Sequence, residues 1–110
     1  MEPVSIDAVA SELDGVDDLF AEPMREESMS ISVYRLAAGT TDPQEPHAED
    51  EAYYVLSGQA KIRIGDSVHD LEPGELVYVE REVEHEFFDI ESELTALVFF
   101  VPAYGSLESA

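Results

Sequence analysis

The stretch PHAEDEAYYVLSG, Pro46 to Gly58, sets His47 four positions before a carboxylate, Glu51, that leads directly into an apolar run closed by a glycine. Alternation along a strand places Glu51, Tyr53 and Val55 on one face. A charge at the start of an apolar strand needs water or a cation beside it, so Glu51 faces solvent or a metal ion. The two readings imply different molecules, and the flanking sequence separates them.

From Ser28 onward the pattern is of strands. SMSISVYRL alternates small polar with apolar residues as far as Leu36 and runs into the Gly- and Pro-bearing loop AAGTTDPQEP. EAYYVL, the two-residue break Ser57-Gly58 and QAKIRI read together as a hairpin. Gly65-Asp66 is a second tight turn, Pro73-Gly74 marks another before Leu76 to Val79, and VEHEFFDI and LTALVFFVP complete the set. About eight short strands predict an all-β domain, closed or sandwiched. Before Ser28 the chain is acidic and loosely patterned. Ser5 caps a short helix through Ala8, Val9 and Leu13 that stops at Asp14-Gly15, and Leu19, Phe20 and Met24 pack on the main body.

Composition limits the function. The 110 residues suffice for one domain, and the absence of cysteine excludes disulfides, thiolate metal sites and thiol nucleophiles. The longest apolar run, Leu97 to Val101, has strand length, far short of the roughly 20 residues of a membrane span. The amino terminus lacks the basic start and apolar stretch of a secretory signal, which makes a soluble cytoplasmic protein the expectation. Asp and Glu number 26 against 5 Lys and Arg, a formal net charge of −21, with Lys61 the only lysine. That field opposes phosphate backbones and anionic lipid, so nucleic-acid and membrane binding are not expected. Since 45% of residues are hydrophobic and gather in strand-length blocks, the acids decorate a folded surface. The Debye length falls from about 10 Å at 0.1 M salt to about 3 Å at 1 M, and a chain so charged reads as adapted to a salt-rich cytoplasm.

Two spacings carry a family resemblance. Glu51 and Gly58 are separated by six residues and His47 and Glu51 by three, while Gly74, His85 and Asp89 stand in register further on. The sequence resembles a small single-domain cupin. That family's first motif ends H-x-H, three or four residues, E, six residues, G. Its second runs G, five residues, P-x-G, two residues, H, three residues, N. The resemblance covers residues 28–102 and implies a double-stranded β-helix, or jelly-roll barrel, with residues 1–27 as a helical or irregular segment packed on it and 103–110 as a tail. Three positions depart from the pattern. The first histidine of H-x-H falls on Glu45, P-x-G reads Glu80-Arg81-Glu82, and the final asparagine is Asp89.

The resemblance implies a divalent transition metal, iron, manganese, nickel, copper or zinc, held by His47, Glu51 and His85 with Glu45 as a fourth ligand. Gln44 is an alternative to Glu45. The donor chemistry agrees, because imidazole and carboxylate bind first-row divalent ions and two histidines with one carboxylate leave positions open for substrate or dioxygen. Alternation sets His85, Phe87 and Asp89 on one face, so Tyr53, Phe87 and Asp89 are the candidate pocket residues. His69 and Arg81 read as surface residues. Three functions fit: a metal-dependent enzyme of oxygenase-like or isomerase-like chemistry on a small molecule, a small-ligand-binding module without turnover, and a metal-free structural barrel. A homodimer is expected from the resemblance.

Overall fold

The computed structural model describes residues 1–14, 20–40, 42–44 and 46–107, and for 42–44 the backbone alone. Gly15 and Leu19 therefore lie outside the described residues. Ser5 caps α1 (Ile6–Glu12) as its sequence predicts, its side chain accepting from the Ala8 amide at 3.2 Å. Asp7 in the first turn suits the helix dipole, and Leu13, the C-cap, is buried. Seven strands follow among the described residues: β1 (Phe20–Arg25), β2 (Ser30–Leu36), β3 (Asp42–Gln44), β4 (Asp50–Ile64), β5 (Ser67–Leu71), β6 (Leu76–Val79) and β7 (His85–Val101). The strand β1 is not apparent in the sequence, where acids and Pro23 mask it; it pairs antiparallel with β2 across a bulge between Ala21 and Met24. No helix among the described residues is long and apolar enough to cross a membrane.

The long strands β4 and β7 are the axis of the fold. They pair antiparallel from Asp50 opposite Val101 to Ile64 opposite His85. The first half of β4 has β6 on its other side and the second half has β5; β7 has β3 beside its first half and β2 beside its second. The sheet therefore rolls around one core, the closed all-β domain expected from the strand and turn pattern and the jelly roll that the family resemblance implies. Tyr53 and Val55 from one half of β4 meet Ile62 from the other, together with Phe87, Val98 and Phe100 of β7.

The predicted hairpin at Ser57-Gly58 is not formed, and β4 continues through it. Register slips between Val55 and Lys61 mark a bulged stretch in which Gly58 has φ +92°. A Cβ there would lie 2.2 Å from the Glu93 carbonyl oxygen, so the glycine serves close approach of two strands rather than a reversal. Likewise the two strands read in VEHEFFDI and LTALVFFVP are one, β7, with the irregularity absorbed around Asp89 at φ +45°.

Register also fixes which side chains face inward. Ser30, Phe100, Glu51 and Val79 form one cross-strand row, and Ser32, Val98, Tyr53 and Val77 the next. The serines of SMSISVYRL thus lie on the core side and are fully buried. Val33, on the opposite face of β2, is buried as well, where α1 lies against β1 and β2.

Candidate metal centre

Glu51 opens β4 on its inward face, two residues before Tyr53, and both are buried, as alternation requires. His85 opens β7 from the other half of the roll, and His47 stands in the segment just before β4. A hydrogen-bonded loop joins these origins. The Glu82 amide donates to the His47 carbonyl at 2.7 Å, and the Arg81 amide donates to Asp50 Oδ1 at 2.9 Å. The Arg81 amide, and after it the Tyr78 hydroxyl, hold the half-buried Asp50 carboxyl below its ordinary range, while Asp50 pushes the Tyr78 phenol up. Glu82, at φ +66°, stands where the cupin pattern has the glycine of P-x-G.

The three candidate ligands converge. His85 Nε2 is 3.1 Å and His47 Nε2 3.8 Å from Glu51 Oε1. The ligand atoms all lie within 4.8 Å of one another, a spread that one ion with bonds of about 2.0–2.2 Å would draw together. His85 Nδ1 lies 3.1 Å from the Val83 carbonyl and donates to it, which turns Nε2 toward Glu51. Tyr53 Oη is 3.2 Å from the same Nε2. Glu51 Oε2 is buried with no hydrogen-bond partner among the described residues. Nε2 and Oε1 in that contact are mutually repulsive unless positive charge lies between them, either a proton or a metal ion. A proton on Nε2 satisfies Oε1 alone, whereas an ion can engage both carboxylate oxygens, so the orphaned Oε2 fits the metal.

Tyr53 and Phe87 are brought to the site, their rings 4.9 Å apart and edge to face, both buried. Asp89 is not. Its positive φ breaks the alternation after Phe87, and its exposed carboxylate lies 3.9 Å from Lys61 Nζ. Glu45 falls outside the described residues, and Gln44 is placed by its backbone alone, paired with His85. His69 is exposed on β5. Three neighbours escape the sequence reading. Phe100 and Tyr104 stand edge-on to the His47 ring, at 5.7 and 5.6 Å between centroids, and Glu49 is buried beside them. Strand parity gives access to Phe100, which is inward in the row of Glu51, but Tyr104 follows Pro102 in what reads as a tail, and Glu49 looks like one more solvated acid.

Comparison with known proteins places the fold. The family model described as Cupin domain matches residues 32–102. An uncharacterised protein of Streptomyces coelicolor is 40% identical over 102 residues, 93% of this chain and 97% of its own length. Among solved structures, TT1209 from Thermus thermophilus superposes with a TM-score of 0.75 at 21% identity, covering 94% of this chain and 99% of that one. The DMSP lyase DddQ from Ruegeria pomeroyi DSS-3 gives 0.67 at 28% identity over 77% of this chain. The match spans only 42% of the lyase's length.

Proposed function

We propose, from the premise that this chain belongs to the cupin domain family, that it is a metal-dependent enzyme acting on a small molecule inside its barrel. The observation that carries the reading is the buried Glu51 carboxylate, one oxygen between two histidines and the other without a partner among the described residues. A divalent transition ion bound there would supply Lewis-acid polarisation of a chelating substrate or activation of dioxygen. His47, Glu51 and His85 would hold it, with Glu45 as the proposed fourth ligand. Tyr53 Oη, beside His85 Nε2, is the group that would hold or move a proton at the substrate. Phe87, Val98 and Phe100 keep the surroundings dry.

Two reaction classes have support. Two histidines with one carboxylate favour oxygenase-like chemistry, since that set leaves open positions. The buried Tyr53 phenol favours proton transfer, as in an isomerase or an elimination, and the likeness to a lyase points the same way. The alternative is a barrel that binds a small ligand, or none, without turnover. We expect a cytoplasmic homodimer, joined through the outer face where Tyr54, Leu76 and Tyr78 are exposed.

The test is metal content of untagged protein purified in molar salt, wild type against a His47→Ala, His85→Ala double variant. Near-stoichiometric metal in wild type and none in the variant is expected. No metal in either after reconstitution overturns the enzyme reading. With metal present, dioxygen uptake against solvent-deuterium incorporation into candidate substrates separates the two reaction classes.

A further inference from the structure

Glu49 lies midway between His47 and Glu51 in sequence, yet it is 1% exposed. Its Oε1 accepts from the Gly105 amide at 3.2 Å, and its Oε2 is buried without a partner among the described residues. Beside it the fully buried Ser30 Oγ accepts from the Tyr104 amide at 2.9 Å. Two consecutive amides of the turn after β7 therefore end on two buried side chains from separate parts of the fold. A buried carboxylate with an unmatched oxygen is costly, and here its one matched oxygen fastens a turn.

That turn carries Tyr104. Its ring is 5.6 Å from His47 at 69° and 4.9 Å from Phe100, and Phe20 lies 5.9 Å away on another side. Of the three triad side chains His47 is the most exposed, 15% against 0% for His85 and 1% for Glu51. It also stands outside any strand, so the rings of Tyr104 and Phe100 are walls that limit its rotation.

We infer that Glu49 is a positioning residue: by fastening the turn at Gly105 it holds Tyr104 against His47 and so fixes the plane in which His47 presents Nε2. The functional meaning of this rests on the triad being a metal centre, but the geometry is testable without metal.

The chain has three histidines, His47, His69 and His85, so their ring C–H resonances are separable in the full-length protein. In chelator, Glu49→Leu is expected to move the His47 signal as Tyr104→Ala does, and the double variant to move it no further than Tyr104→Ala alone. Glu49→Gln, which retains an acceptor for the Gly105 amide, should leave it near the wild-type position, and exposed His69 should not respond. A His47 signal indifferent to Glu49→Leu, or displacements that add in the double variant, overturns the inference. Should Glu49→Leu not fold, Glu49→Ala, which likewise removes the acceptor of the Gly105 amide, takes its place with the same expectation and the same refutation. Titration with zinc then separates the two readings. Glu49→Leu is expected to weaken zinc about tenfold, as loss of an orienting partner does. A wild type that takes up no zinc overturns the metal reading, and the His47 signal still decides the inference.

Discussion

Replacing Glu51 with glutamine should invert the stability order of two proteins when metal is added. In chelator the wild type carries a buried carboxylate oxygen without a partner among the described residues, and such a group destabilises by about 1–3 kcal/mol. The substitution would remove the charge and offer a side-chain amide N–H to His85 Nε2, which stands 3.1 Å from the corresponding oxygen of Glu51. Unfolding entropy near 2.1 cal/mol/K per residue over 110 residues makes 1 kcal/mol about 4 °C in Tm. The amide carbonyl then stands in the unpartnered Oε2 position, so only the part of that cost due to charge is recovered, about 1 kcal/mol, and Glu51→Gln should melt about 4 °C above wild type in chelator. A metal ion at a hundredfold its Kd stabilises by about 2.7 kcal/mol, so wild type should gain about 12 °C with zinc and the variant close to nothing. Circular dichroism melts in 1 M KCl, with chelator and with excess zinc, read both. The competing account is a fixed ion pair between Glu51 and a protonated His85. Breaking a buried pair of that kind loses about 3–5 kcal/mol, a fall of some 12–20 °C in chelator. That fall, together with indifference to zinc, would refute the metal centre.

Three further outcomes follow from the backbone and the charge. Gly58→Ala sets a Cβ 2.2 Å from the Glu93 carbonyl at φ +92°, and about 3–5 kcal/mol of lost stability is expected in chemical denaturation; a loss under about 1 kcal/mol would contradict the close approach of β4 and β7. Glu82→Gly relieves a left-handed glutamate at φ +66° and should raise Tm by about 4 °C, for roughly 1 kcal/mol of strain, with an unchanged or lower Tm counting against that strain. With a net charge of −21, the protein should melt several degrees higher in 1 M than in 0.1 M KCl, and a flat salt profile would end the case for salt adaptation.

Much of the site is legible because strand parity and ligand spacing are local. Glu51, Tyr53 and Val55 alternate inward as read, and His47 and His85 reach the same carboxylate. What fails is long-range. Ser57-Gly58 between two apolar runs gives one signal for a hairpin turn and for a bulge, and only the approach of Glu93 from β7 decides between them. Asp89 reads as a continuation of the face of His85 and Phe87, but a single residue at positive φ moves it outside. Ser30 and Ser32, small and polar among apolar neighbours, look like the solvent face of β2 although they point inward. Glu49 is hidden by composition, since in a chain with 26 acids nothing local marks the one that is buried against Gly105.

The pairing of β4 with β7 also bears on the order in which the molecule assembles. Ile64 and His85 are partners 21 residues apart, whereas Asp50 and Val101 are partners 51 apart at the other end of the same ladder. Loop closure favours the shorter connection, so pairing starts near Ile64 and His85 and zips outward. His85 is then in place early, while Glu51, opposite Phe100, is among the last residues to dock. Candidate ligands drawn from the two ends of one zipper meet only when it has closed, so uptake of the proposed ion would be a readout of completed folding.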